Sequence, residues 1–180
     1  MIDRRAGVRQ LLHAYAPSDA RELAFRTQML QLTESPGDPF SREHFTPGHF
    51  TASAFILSPD RKAVLLIHHQ KLARWLQPGG HLEPEDDSVL ATAEREVREE
   101  VNLAEVSLGH EGIFDIDVHP IPQWKSEAAH QHFDVRFLFV AKTVDFTASS
   151  EVTAGRWFPL TDLGEIASDE SVRRALRKLG

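Results

Sequence analysis

Residues 88–101 carry the strongest pattern in the chain: Leu90, Ala93, Val97 and Val101 recur along one edge of a helix, behind a serine able to cap it. Such an edge needs a sheet or another helix to cover it. The flanking segments supply strands. Residues 50–57 and 63–67 are strand-like and are joined by the turn Ser58-Pro59-Asp60-Arg61, and residues 112–119, 133–141 and 156–160 repeat the pattern beyond the helix. Ser168 or Asp169 then caps a last helix with the stripe Val172, Ala175, Leu176 and Leu179. Strands around a central helix, with helices at both ends, predict an α/β layered domain.

The front of the chain is patterned differently. Val8, Leu11, Leu12 and Tyr15 share one helix face that Pro17 closes, and Phe25, Met29 and Leu32 form the stripe of a second helix. Asp19 as its N-cap would place Glu22 for a capping box. The expected division is a helical extension over residues 1–47 and a main domain over residues 48–180. The helical pair either packs on that domain or makes a homodimer contact, and both alternatives predict the same stripe.

Composition narrows the function classes. The 180 residues include 20 Lys plus Arg against 27 Asp plus Glu, a net charge of −7, which argues against broad nucleic-acid or anionic-membrane binding. Cys is absent, which excludes disulfides, thiolate metal sites and a cysteine nucleophile. No apolar run approaches the roughly 18 residues of a membrane span, and the first residues lack the apolar core of a secretory signal. A soluble cytoplasmic protein is the expectation.

The chemistry concentrates in GGHLEPEDDSVLATAEREVREEVNL, residues 79–103. Glu96, Glu99 and Glu100 stand at i, i+3, i+4, so their carboxylates share one side of the helix. A solvated charged face is the ordinary meaning of such a pattern. The diglycine after Pro78 shifts the balance, because it lets backbone carbonyls turn toward a neighbouring ligand. Carboxylates with a carbonyl are hard oxygen donors suited to Mg²⁺ or Mn²⁺.

This segment resembles the Nudix box, the signature of Nudix hydrolases: G, five residues, E, seven residues, then R-E-U-x-E-E-x-G-U with U apolar. Gly80 starts it, and Arg95, Glu96, Val97, Glu99, Glu100 and Leu103 fill the second half in register. The loop carries one extra residue, so either Asp86 or Asp87 stands for the first glutamate, and Asn102 replaces the late glycine. Asn tolerates the left-handed conformation that ends helices, so that departure is mild. The resemblance implies an α/β/α sandwich with a mixed central sheet. It also implies a hydrolase in which Glu96, Glu99, Glu100 and the Gly79 carbonyl bind Mg²⁺ or Mn²⁺ and Arg95 orients the glutamates. Glu96 or Glu100 then serves catalysis, with Glu151 as a distal base or fourth ligand and Glu127 as a weaker candidate for that role.

Beyond the box, His130, His132, Asp134 and Arg136 alternate along one strand face and Asp115, Asp117 and His119 along another. These are polar outer faces of half-exposed strands, or a cleft wall with Arg136, His81 and His132 on substrate, or a His-x-His metal site. Trp75 and Trp124 stack on a base or pack in the core. The resulting expectation is hydrolysis of a nucleoside diphosphate linked to another moiety, such as a sugar, to a nucleoside monophosphate and a phosphorylated product. A (d)NTP or oxidised-nucleotide pyrophosphatase is the alternative, followed by a non-catalytic nucleotide-binding module. A small-molecule nucleotide is the expected partner, with no nucleic acid and no membrane. Isopentenyl diphosphate isomerases share the fold but use a catalytic cysteine, which this chain lacks.

Overall fold

Asp3, Asp19, Ser88 and Asp169 each turn a side-chain oxygen onto a helix N-terminus, and these caps fix where the four α-helices of the described residues begin: α1 Arg4–Ala14, α2 Ala20–Thr33, α3 Val89–Val101 and α4 Glu170–Leu176. Helix α3 ends at Asn102, whose backbone is left-handed (φ 51°), the conformation expected there. The computed structural model describes residues 3–69, 73–150 and 152–179.

The strands are β1 Gly48–Leu57, β2 Ala63–His69, β3 Arg74–Leu76, β4 Gly79–His81, β5 Val106–Leu108, β6 Asp115–Ile121, β7 His130–Ala141 and β8 Val152–Pro159. They form one mixed sheet in the order β3-β2-β1-β7-β5, with β4 paired to β1, β6 to β7 and β8 to β2. Strands β1 and β7 run parallel in register from Gly48↔Gln131 to Leu57↔Val140, and the other pairings are antiparallel. The short strands β3, β4 and β5 were not expected from the sequence, since three residues are too few to show a period.

One face of the sheet carries Phe50, Ala52, Ala54, Ile56, Phe133, Val135, Phe137 and Phe139, in one apolar core with Ala93, Val97 and Val101 of α3. Val8, Leu12, Tyr15, Met29 and Leu32 of the front segment join that same core. The helical pair therefore packs on the sheet, and its stripe is used within the chain. On the other face Phe55, Leu66, Leu138 and Phe158 pack with Val172, Ala175 and Leu176 of α4.

The polar strand faces are buried over most of their length, while His119 and His132 stay part-exposed. Asp115, Asp117, Asp134 and Arg136 are all under 5% exposed. Helix α4 covers them: Arg174 donates to Asp115, Asp117 and the Ile116 carbonyl, and Ser171 accepts from Arg136. The alternation along the strands gives the correct faces, but a sequence does not say which helix lies across them.

Glu22 ties α2 into this network. Its backbone N–H donates to Asp19, as a capping box requires. Its carboxylate, instead of returning to the cap, accepts from Tyr15, Ser18 N, Arg174 and Lys178. Burial alone would raise the Glu22 carboxyl, yet these donors outweigh it and hold the group down to about 2 from 4.5. A carboxyl depressed on folding stabilises above its unfolded value and loses that stabilisation as pH falls through its folded value. Glu22 thus contributes about 3 kcal/mol at neutral pH. In urea melts the gap between wild type and Glu22→Gln is expected to narrow as pH drops from 4.5 to about 2. A gap that stays constant over that window would contradict this assignment.

Candidate active site

Strand β4 and helix α3 build the site together. Glycine is required twice in succession. A Cβ on Gly79 would lie 2.3 Å from the Ser53 Cβ, because β4 is pressed onto β1, and a Cβ on Gly80 would lie 2.4 Å from Glu96 Oε1. The diglycine therefore brings a strand backbone directly against the glutamate face of α3. The Gly79 N–H donates to Glu100 Oε2 at 2.9 Å.

Arg95 organises the carboxylates. Its Nη1 donates to Glu96 Oε1 at 3.0 Å and to Glu99 Oε2 at 2.9 Å, and its Nη2 donates to the His81 carbonyl at 2.8 Å. Asp86 holds the guanidinium from the other side through Nε and Nη2. This settles which loop acid does the bracing: Asp86 is 6% exposed, also accepts from Glu83 N and Thr92 Oγ1, and leaves Asp87 at the surface. Burial disfavours charge on Asp86, but Arg95, Glu83 and Thr92 outweigh it and hold the carboxyl below its usual range. Hydrogen bonding to Asp86 pushes Arg95 up.

Glu96 is the perturbed group. Its side chain is 12% exposed, whereas that of Glu99 is 54% exposed. Burial raises the Glu96 carboxyl to about 7, with Arg95 opposing and Glu99 and Asp86 adding to the rise. A buried carboxylate of that kind beside two more is a site waiting for positive charge, and the set consists entirely of hard oxygen donors, which fits Mg²⁺ or Mn²⁺. We expect Gly80→Ala to fold normally and lose about 10²-fold in activity, because the new methyl displaces only the Glu96 carboxylate. Steady-state kinetics beside a thermal melt would check this, and unchanged turnover would refute it.

A cleft of about 1960 Å³ opens in front of these groups. Glu96, Glu99 and Glu100 line it together with His81, His132 and Arg136, and the front segment adds Arg4, Phe40 and Arg42 to its wall. That contribution of the front segment was not foreseen. Arg4 donates to the carbonyls of Glu83 and Pro84, so α1 is fastened to the loop that precedes α3.

The other expected site residues divide. Arg136 is 2% exposed, and its donors go to Asp134, Asp115 and Ser171. Its guanidinium is committed to the protein interior. His81 and His132 stand together with ring centroids 5.0 Å apart, and His49, which the sequence did not single out, is 5.1 Å from the first and 4.8 Å from the second. Only the β1–β7 and β1–β4 pairings bring these rings together. Burial, and then neighbouring charge, holds His49 and His81 down to about 4 and His132 to about 2. Glu151 lies outside the described residues. The preceding loop is pinned to the end of α3, with Thr147 N donating to Val101 O and Ser149 N to Glu100 O. Trp75 packs edge-on against Phe158, while Trp124 is 66% exposed. Glu127 sits 3.6 Å from Arg42 in an exposed pair.

The Nudix domain family model matches residues 47–179. The chain belongs to the Nudix family. Among solved structures, a Nudix-family hydrolase from Clostridium perfringens superposes with a TM-score of 0.56 at 23% identity, covering 78% of this Nudix chain and 99% of that one. A C. elegans Ap4A hydrolase in a binary complex gives 0.56 at 23% identity, covering 72% and 93%. The E. coli dihydroneopterin triphosphate pyrophosphohydrolase gives 0.55 at 16% identity, covering 72% and 92%. A Lactococcus lactis subsp. cremoris (strain MG1363) protein named probable DHNTP pyrophosphohydrolase is 31% identical over 113 residues, 62% of this chain. The match spans 65% of that relative's length, just under two thirds. Among the described residues, no helix is long and apolar enough to cross a membrane.

Proposed function

We propose that this Nudix protein is a divalent-metal-dependent pyrophosphohydrolase that cleaves a phosphoanhydride of a small-molecule triphosphate. The observation that carries the hydrolase reading is the glutamate face of α3 held against Gly79 and Gly80 by the Arg95–Asp86 pair. Glu96, Glu99, Glu100 and the Gly79 carbonyl would hold Mg²⁺ or Mn²⁺. Bound there, the metal supplies charge neutralisation on the phosphates and a lowered pKa for an attacking water.

The chain's own residues do the rest. Arg95 keeps two carboxylates aimed at one place and is itself fixed by Asp86. Glu96, buried between Arg95 and Gly80, is placed to accept a proton from water on the cleft side. As the water oxygen bonds to phosphorus, the bridging P–O bond breaks, and a monophosphate and pyrophosphate leave. Arg42 and Arg74 on the cleft wall offer charge to the outer phosphates.

The triphosphate class is favoured by the Lactococcus relative's name. The leaning toward a nucleoside diphosphate sugar rests on the polar strand faces and the N-terminal extension, and the acidic part of those faces is closed by Arg136 and Arg174. The size of the cleft still favours a two-part substrate as a second reading, since typical ligand sites are about 300–1,000 Å³. Glu151 stays a candidate distal base, and Arg136 is better read as a positioning residue than as a substrate contact.

The test is a substrate panel with Mg²⁺ or Mn²⁺: dihydroneopterin triphosphate, (d)NTPs, dinucleoside polyphosphates, ADP-ribose and nucleoside diphosphate sugars. Metal-dependent pyrophosphate release from a triphosphate supports the proposal. Preferential cleavage of a nucleoside diphosphate sugar moves the assignment to the second reading, and binding without turnover refutes the hydrolase.

A further inference from the structure

Strand β4 has two sides, and only one faces the glutamates. Gly80 points toward Glu96, while His81, one residue on, takes the opposite face of the sheet. There it meets His49 of β1 and His132 of β7, register partners in the parallel ladder. One ring nitrogen from each of the three histidines lies within 4.8 Å of the others. From this geometry we infer that His49, His81 and His132 form a second metal site, distinct from the glutamate site, that binds one transition-metal ion of the Zn²⁺ class.

Three observations converge on this. First, His49 is 1% exposed and its Nδ1 lies 3.3 Å from the His44 carbonyl. A carbonyl only accepts, so Nδ1 carries the proton and Nε2 presents a bare lone pair. Second, Nε2 of His49 and Nε2 of His132 are buried without a hydrogen-bond partner. A buried polar atom left so costs on the order of 1–3 kcal/mol, and a metal bond removes that cost. Third, tetrahedral zinc with bonds of about 2.0–2.1 Å sets its ligand nitrogens roughly 3.3 Å apart, within reach of small ring rotations from the present arrangement.

The set is also selective. Imidazole nitrogens suit Zn²⁺, Cu²⁺ or Ni²⁺, while Mg²⁺ prefers the oxygens on the far side of β4. His81 and His132 line the cleft, which gives the ion access and leaves a fourth position for water or a substrate oxygen. A His44 carbonyl holding the His49 tautomer is the kind of outer support metal-bound histidines use. Arg95 Nη2 donates to the His81 carbonyl, so an ion here would brace the strand that carries Gly79 and Gly80. This inference stands independently of the hydrolase reading.

The experiment is calorimetric titration of the full chain with Zn²⁺ in saturating Mg²⁺, which fills the oxygen site. One Zn²⁺ per chain is expected. Binding should survive in the Glu99→Gln/Glu100→Gln variant and weaken at least about 100-fold in His81→Asn and His132→Gln. His13→Ala, on the exposed side of α1, is the control for binding at a surface histidine. Should the histidine variants fail to fold, Co²⁺ added to the wild type decides. The strong visible absorption of four-coordinate, nitrogen-ligated Co²⁺ supports the site, and the faint spectrum of six-coordinate, oxygen-ligated Co²⁺ overturns it. Absence of saturable Zn²⁺ binding, or binding lost with the glutamates and kept without the histidines, also overturns it.

Discussion

Glu100→Gln is expected to lower metal-dependent turnover by about 10²–10⁴-fold while leaving the melting temperature within a few degrees of wild type. The amide has the size of the carboxylate, and its oxygen can still accept from the Gly79 N–H, so strand β4 stays docked. What is lost is a negative charge where the oxygen donors converge. Apparent Mg²⁺ affinity should fall with turnover, which separates a ligand from a purely structural glutamate. Glu99→Gln, at a more exposed position, should follow in the same direction with a smaller change. Full activity of Glu100→Gln at low Mg²⁺ would remove this residue from the site.

Arg136→Met should act on stability instead. The guanidinium pairs with Asp134 at 2.8 Å and Asp115 at 3.1 Å and approaches Asp117 at 3.6 Å, all with side chains no more than 5% exposed. These carboxylates hold Arg136 firmly charged, well above its usual value. Asp115 keeps Arg174 and Lys178, but Asp134 loses its arginine partner and, among the described residues, keeps hydroxyl and amide donors from Thr51, Ser53 and Gln77. Removing one member of a buried pair costs about 3–5 kcal/mol, because the remaining charge is left without compensation. For a chain of this size that is a fall of roughly 6–20 °C in melting temperature. Adding Asp134→Asn should recover part of it, giving a favourable interaction energy in the double-mutant cycle. A loss under about 1 kcal/mol would show that the network is replaceable.

The sequence was most legible where chemistry and periodicity coincide. The α3 glutamates, Arg95 and the diglycine occupy one site because helix spacing and glycine's missing Cβ act over a few residues. The Ser88 and Asp169 caps and the left-handed Asn102 are local in the same sense. Asp86 and Asp87 are one residue apart in an irregular loop, and only the position of Thr92 and Arg95 in space distinguishes them. Tertiary placement was the least legible part. Arg136 was a candidate substrate contact because its strand face is polar, yet α4 lies across that face and brings Ser171 and Arg174 to it. His49 carried no signal of its own. Its partners are 32 and 83 residues away, and they meet it through strand order.

That strand order also governs timing. In the sheet β1 is flanked by β7 over ten register pairs, and Thr51 meets Asp134 across 83 residues of chain. Synthesis from the N-terminus releases β1, the diglycine strand and the glutamate helix well before β7. Until β7 emerges, one long edge of β1 is an open template for other strands, and Phe50 lacks the cover of Phe133, one of three buried core phenylalanines that β7 brings. Contacts so distant in sequence close late and slowly. The nascent chain thus carries the diglycine and the α3 glutamates before the sheet that holds them together is assembled, and the geometry of the candidate site is among the last properties that the polypeptide acquires.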